Sequence, residues 1–126
     1  MAYKVLLIDD EIDLVKAVST RLMSKGYEVI PAFDGNEGVR KAVRELPDVI
    51  ILDIMMPGKD GYTVIRELKR APATKNIPVI VLTAKQEMKD LFEPEGVEYY
   101  MTKPFDNAEL IGNIEKVVIK GKKGGA

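Results

Sequence analysis

Three short apolar runs stand out along the chain: Val5-Leu6-Leu7-Ile8, Val49-Ile50-Ile51-Leu52 and Val79-Ile80-Val81-Leu82. Each is continuous rather than alternating, the pattern expected of strands covered on both faces of a parallel sheet. Two weaker runs, over residues 28–31 and 97–101, read as further strands. The intervening stretches carry helical spacing. Leu14, Val15, Val18, Leu22 and Met23 fall on one face of a first helix, and Gly26 follows where a C-terminal cap belongs. Asp34-Gly35-Asn36-Glu37 has capping-box spacing ahead of Val39 and Val43. Tyr62, Ile65 and Leu68 mark a third helix that starts after Asp60-Gly61. Met88, Leu91 and Phe92 mark a short fourth helix, stopped by Pro94. Asp106-Asn107-Ala108-Glu109 is a second capping box, opening a last helix with Leu110, Ile111, Ile114, Val117 and Val118 turned inward.

The order is strand then helix, repeated five times. Parallel neighbours require crossover connections, and right-handed crossovers place helices on both faces of the sheet. The expected fold is therefore α/β, a doubly wound five-stranded parallel sheet. Ligands of such folds bind beyond the carboxyl ends of the strands.

Composition narrows the chemistry. The chain has 126 residues, enough for one domain, with 46% hydrophobic and 31% charged residues. There is no cysteine and no histidine. Disulfides, thiol nucleophiles, Ser-His-Asp triads and His-ligated metals are excluded. Any nucleophile, base or ligand is Asp, Glu, Lys, Ser, Thr or Tyr. A formal net charge of −1 gives no basic surplus for nucleic acid. No long apolar stretch or signal-peptide pattern is present, so a cytoplasmic protein without membrane association is expected. Residues 1–120 read as one domain, and residues 121–126 as a disordered basic tail.

The strand ends gather one kind of group. The first strand runs into Asp9-Asp10-Glu11, the third ends in Asp53, the fourth in Thr83-Ala84, and the fifth is followed by Lys103-Pro104. Read alone, Asp9-Asp10 is a turn or helix cap, and Thr83 a strand-end cap. Together they form an acidic pocket with a hydroxyl and an ammonium at its rim. Clustered carboxylates repel unless protonated or neutralised, and a hard oxygen-seeking cation such as Mg²⁺ resolves the conflict. A cation and Lys103 would neutralise a phosphoryl group, Thr83 would donate a hydrogen bond to it, and Ala84 would leave it room. Asp53 would be the nucleophile that forms an acyl phosphate.

The motifs Val5-Leu6-Leu7-Ile8-Asp9-Asp10-Glu11, Leu52-Asp53-Ile54-Met55-Met56-Pro57-Gly58-Lys59-Asp60-Gly61, Val81-Leu82-Thr83-Ala84 and Tyr100-Met101-Thr102-Lys103-Pro104-Phe105 occur in this order at the strand ends. In this the chain resembles the response-regulator receiver domains of two-component signalling, the chemotaxis-type (CheY-like) phosphoacceptors, from about residue 4 to 118. The resemblance implies a flavodoxin-like (βα)5 fold with strand order 2-1-3-4-5. It implies that Asp53 receives a phosphoryl group from a sensor histidine kinase or phosphotransfer protein. It implies that Asp10 and Asp53 ligate Mg²⁺ directly, Asp9 through water, and Met55 through its backbone carbonyl. Lys103 would contact the phosphoryl group, Thr83 would turn toward it, and Tyr100 would swing inward behind Thr83. Tyr100 also reads as plain sheet packing; Tyr99 is its rival, and the spacing to Lys103 favours Tyr100. The Lys103-Pro104 bond is expected to be cis.

Met55 and Lys85 fall where members of this family vary, and such positions alter water access to the phosphoryl group. Lys85 also reads as a solvated helix-start residue. The stretch between Thr83 and Lys103 is shorter than usual for the family, so a short fourth helix is expected. The resemblance assigns the output signal to the face of the fourth helix, fifth strand and fifth helix. The expected function is a phosphorylation-driven switch that acts through a downstream protein, as a monomer or a phosphorylation-dependent dimer. Its catalysis is limited to its own phosphorylation and dephosphorylation. The alternatives are a phosphorylation-independent scaffold or dimerisation module, an aspartyl phosphatase and a flavin module. The phosphatase would need a second Asp where Met55 stands. The flavin module would need a phosphate loop where Asp9-Asp10-Glu11 stands.

Overall fold

A computed structural model describes residues 2–83 and 97–124, with side chains as far as residue 119. The chain runs β1 (Lys4–Ile8), α1 (Ile12–Ser24), β2 (Glu28–Ala32), α2 (Gly35–Glu45), β3 (Val49–Asp53), α3 (Gly61–Arg70), β4 (Val79–Thr83), β5 (Tyr99–Thr102) and a last helix (Asn107–Gly124). The five strands form one parallel sheet in the order β2-β1-β3-β4-β5, the arrangement expected from the sequence. The fourth helix expected around Met88 and Leu91, together with Ala84 and Lys85, lies outside the described residues.

The sheet is hydrophobic on both faces because each strand feeds two cores. Val5 and Leu7 of β1, Val49 and Ile51 of β3, and Ile80 and Leu82 of β4 pack with α1 and the last helix. Leu6 and Ile8, Ile50 and Leu52, and Val79 and Val81 pack with α2 and α3. Alternate residues of a strand point to opposite faces, so one continuous apolar run serves both. Asp34 caps α2 by accepting from the Glu37 amide at 2.8 Å, and the Glu37 carboxylate accepts in return from the Phe33 amide at 2.6 Å. Asp60 caps α3 through the Thr63 amide at 2.8 Å, and Asp106 caps the last helix through the Ala108 amide at 2.9 Å. Each such cap is worth about 1 kcal/mol.

The structure corrects the sequence reading in two places. β5 begins at Tyr99, where pairing with Ile80 starts, rather than at Val97. Met23, expected inward, is 54% exposed; it sits one residue beyond Leu22, and the 100° step turns it off the apolar stripe. Val43 of α2 is 47% exposed. The buried face of α2 is instead Gly35, Gly38 and Ala42, because the helix approaches β1 so closely that a Cβ on Gly38 would meet the Ile8 side chain. The last helix spans Asn107–Gly124. Lysine is a good helix former, and cations suit the carboxyl end of a helix.

Candidate phosphoryl-acceptor site

The carboxyl ends of β1 and β3 are neighbours in the sheet, with Ile8 paired to Leu52. The next residue on each strand is an aspartate, and both point to the same face. Asp9 is fully buried and Asp53 nearly so, while Asp10, one step further on, is exposed. One carboxylate oxygen from each of Asp9, Asp10 and Asp53 lies within 4.8 Å of the others. Asp9 Oδ1 accepts from the Glu11 amide at 2.9 Å, and Asp53 Oδ1 accepts weakly from the Met55 amide at 3.2 Å.

Lys103 enters from the loop after β5. Its amide donates to the Thr83 carbonyl, 2.6 Å away, which anchors that loop to the end of β4. The Lys103–Pro104 peptide bond is cis, as expected. The ammonium donates to Asp9 Oδ2 at 2.8 Å and to Glu11 Oε1 at 2.9 Å, and stands 3.6 Å from Asp53 Oδ2. Burial alone pulls the lysine pKa down, but the hydrogen bonds it donates to Asp9 and Glu11 and the charges of Asp9 and Asp53 outweigh it, so the net shift is upward.

Asp53 is the strained member of the cluster. Burial pushes its carboxyl up to about 6 from the ordinary 3.8, and the charge of Asp9 pushes the same way. Lys103 and the Met55 amide pull it down without cancelling this, and Asp10 adds a further upward push. Like charges held close together disfavour ionisation, so the pocket carries more negative charge than Lys103 neutralises. A small hard cation bound to carboxylate oxygens answers that surplus, so the residues present fit a divalent metal.

Thr83 is fully buried at the end of β4. The pairing of Val81 with Tyr100 and of Thr83 with Thr102 places Tyr100 on the same sheet face as Thr83. Tyr100 packs against the α2/α3 core and Tyr99 against the opposite one. Met55 is 51% exposed beside the pocket, and Pro104 is exposed on its far side.

The loop from Ile54 to Gly61 is held tightly under the site. Gly58 takes φ 79°, in the left-handed region that favours glycine. The Gly61 amide donates to the Ile54 carbonyl at 3.2 Å. A Cβ at Gly61 would stand 2.7 Å from Ile54 Cα and 3.1 Å from the Asp53 carbonyl, and would also meet Ile54 Cδ1.

A family model described as the response regulator receiver domain matches residues 5–115. The chain belongs to this family. The response regulator PleD of Caulobacter vibrioides is 38% identical over 119 residues, a match that covers 93% of this chain and 26% of PleD. The chain thus spans about a quarter of that relative's length. The chemotaxis protein CheY4 of Vibrio cholerae is 33% identical with a TM-score of 0.86, covering 93% of this chain and 99% of that one. The receiver domain of the Pseudomonas aeruginosa sensor histidine kinase PA1611 is 31% identical with a TM-score of 0.86, covering 94% and 98%; its structure has a magnesium ion coordinated in the active site cleft. The protein is thus a receiver domain of two-component signalling, a family whose general device is a phosphorylation-dependent switch. Receiver domains exchange phosphoryl groups with histidine kinases or phosphotransfer proteins. Among the described residues no helix is long and apolar enough to cross a membrane.

One residue of this site had no role in the sequence reading. Glu11 was read only as the residue after Asp9-Asp10, yet it contributes one of the two hydrogen bonds to the Lys103 ammonium. The available signal was the third consecutive carboxylate of Asp9-Asp10-Glu11.

Proposed function

We infer that Asp53 is the phosphoryl acceptor and that its acylation switches a protein-binding face. The observation that carries this reading is the environment of Asp53: a carboxylate 3% exposed, pushed up to about 6, with two further carboxylates and a lysine ammonium converging on it. A carboxylate oxygen of Asp53 attacks phosphorus of a phosphohistidine. The O–P bond forms, the P–N bond breaks, and the imidazole nitrogen keeps the electron pair. Asp10, Asp53 and the Met55 carbonyl would ligate Mg²⁺ directly, and Asp9 through water. When bound, Mg²⁺ supplies positive charge against the phosphoryl oxygens.

Lys103 takes another phosphoryl oxygen as a point charge. The Thr83 hydroxyl donates to a third, and Tyr100, on the same face, follows it inward. β5 links this movement to the last helix, so the output surface comprises the segment after β4, β5 and the last helix. The protein's own catalysis is limited to gaining and losing this phosphoryl group, with a histidine kinase or phosphotransfer protein as donor.

Chemical mapping tests the assignment. After incubation with acetyl phosphate, borohydride reduction converts a phosphoaspartate to homoserine, which peptide mass analysis locates. Homoserine at position 53 is expected; homoserine at position 9 or 10 would overturn it.

A further inference from the structure

Of the helices described, α1 departs from the rest at its N-terminus. α2, α3 and the last helix each begin with an aspartate whose carboxylate accepts from a helical amide. α1 begins at Glu11, whose side chain makes no such cap. Glutamate is not a favoured N-cap residue. Its carboxylate reaches instead across 92 positions of sequence to the Lys103 ammonium at 2.9 Å. Asp9 closes the ring, accepting from the Glu11 amide with one oxygen and from Lys103 with the other. Lys103 is therefore held by two carboxylates at hydrogen-bond distance, while Asp53 stands at 3.6 Å, beyond it.

We propose that Glu11 is a positioning residue that holds Lys103 off Asp53 in the unphosphorylated protein and must release it when the phosphoryl group arrives. The proposal rests on Asp53 being the acceptor. Glu11 is 59% exposed at its side chain and Lys103 14%, so this is the weaker of the two hydrogen-bonded pairs, and an incoming dianionic phosphoryl group breaks it more readily than the buried Asp9 pair. Once released, the Glu11 carboxylate can accept from the first-turn amides of α1 that its side chain does not cap here. Loss of the contact at Lys103 is thus coupled to the end of the helix that borders the pocket.

The test uses four forms of the full chain: native, Glu11→Gln, Glu11→Asp and Asp13→Asn. Asp13 lies in the first turn of α1 and serves as a control for the loss of one nearby negative charge. Each form is phosphorylated with acetyl phosphate and Mg²⁺. The Asp53 O–P bond forms, the P–O bond to acetate breaks, and acetate leaves with the electron pair. The expected result is phosphorylation three- to tenfold faster, and acyl phosphate lost more slowly, in Glu11→Gln. Glu11→Asp, which keeps the charge but is one methylene shorter, should behave like Glu11→Gln, and Asp13→Asn should stay within twofold of native. A rate for Glu11→Asp equal to native alongside a fast Glu11→Gln would mean that bare charge rather than the Lys103 contact sets the rate, and would overturn the proposal. A second measurement needs no phosphorylation: the NMR signal of the Lys103 ε-methylene, compared between native and Glu11→Gln without donor. A clear shift is expected, and coincident signals would overturn the proposal. Failure of native protein to gain a phosphoryl group would instead count against Asp53 as acceptor.

Discussion

The Lys103 ammonium stands 3.6 Å from Asp53 Oδ2, outside hydrogen-bond reach, while it donates to Asp9 at 2.8 Å and to Glu11 at 2.9 Å. The lysine that neutralises the acidic cluster is thus already engaged, and the buried Asp53 keeps only the longer ion pair. That asymmetry is what the proposed role of Asp53 as nucleophile draws on, and it can be measured.

Lys103→Met removes the cation that faces the fully buried Asp9. Breaking one side of a buried pair leaves an uncompensated charge. Stability at pH 7 should fall by about 2 kcal/mol, read from urea unfolding. Divalent cations should bind several-fold more tightly to this variant, because the ammonium no longer competes for the same oxygens. Unchanged stability together with unchanged cation affinity would contradict the role given to Lys103.

Asp53 makes stability depend on pH. Its carboxyl titrates at about 6 when folded, against 3.8 for the ordinary group. Between these values the folded state binds more protons than the unfolded state, so metal-free stability falls as pH rises through that window. Screening by water and neighbouring charges reduces the effect to about 1–2 kcal/mol. Asp53→Asn should abolish this slope and be the more stable form at pH 7.5 without metal. Mg²⁺ should stabilise native protein at pH 7.5 and far less at pH 5, where a proton occupies Asp53. Urea midpoints at the two pH values, with and without Mg²⁺, check both statements.

Gly61→Ala should destabilise the protein by about 2 kcal/mol, the range for overpacking. The new Cβ would stand 2.7 Å from a backbone atom of Ile54, which yields less readily than a side-chain tip. Because the same loop sets the Met55 backbone beside Asp53, phosphorylation should slow as well. A thermally silent Gly61→Ala would show that the loop from Ile54 to Gly61 is not held as described.

Met55→Asn places a polar amide at a position 51% exposed beside the pocket. A group that holds water near the phosphoryl phosphorus should shorten the acyl phosphate lifetime a few-fold. Timed loss of phosphate after removal of donor measures this, and an unchanged lifetime would remove Met55 from any role in water access.

Much of the sheet was legible in the sequence, because a strand covered on both faces must be apolar at consecutive positions. β1, β3 and β4 are of this kind, and their ends located Asp9, Asp53 and Thr83. Helix faces were less legible. α2 packs through Gly35, Gly38 and Ala42 because it lies against Ile8, and small residues carry little hydrophobic signal, so that face did not stand out in the sequence. The Lys103–Glu11 contact spans 92 positions, and no local pattern announces a pair that only the closed sheet brings together. Sequence spacing favoured Tyr100 over Tyr99, and the sheet face that each occupies became visible only from the parallel register of β4 and β5.

The most direct measurement is the intact mass of the protein after incubation with acetyl phosphate, with and without Mg²⁺, for native chain and Asp53→Asn. The chain has no tryptophan, so mass is a more direct readout than indole fluorescence. The expected result is a gain of one phosphoryl group in the native protein that requires both Mg²⁺ and Asp53. A gain that persists in Asp53→Asn, or no gain in the native protein under any of these conditions, would contradict the assignment of Asp53 as the phosphoryl acceptor.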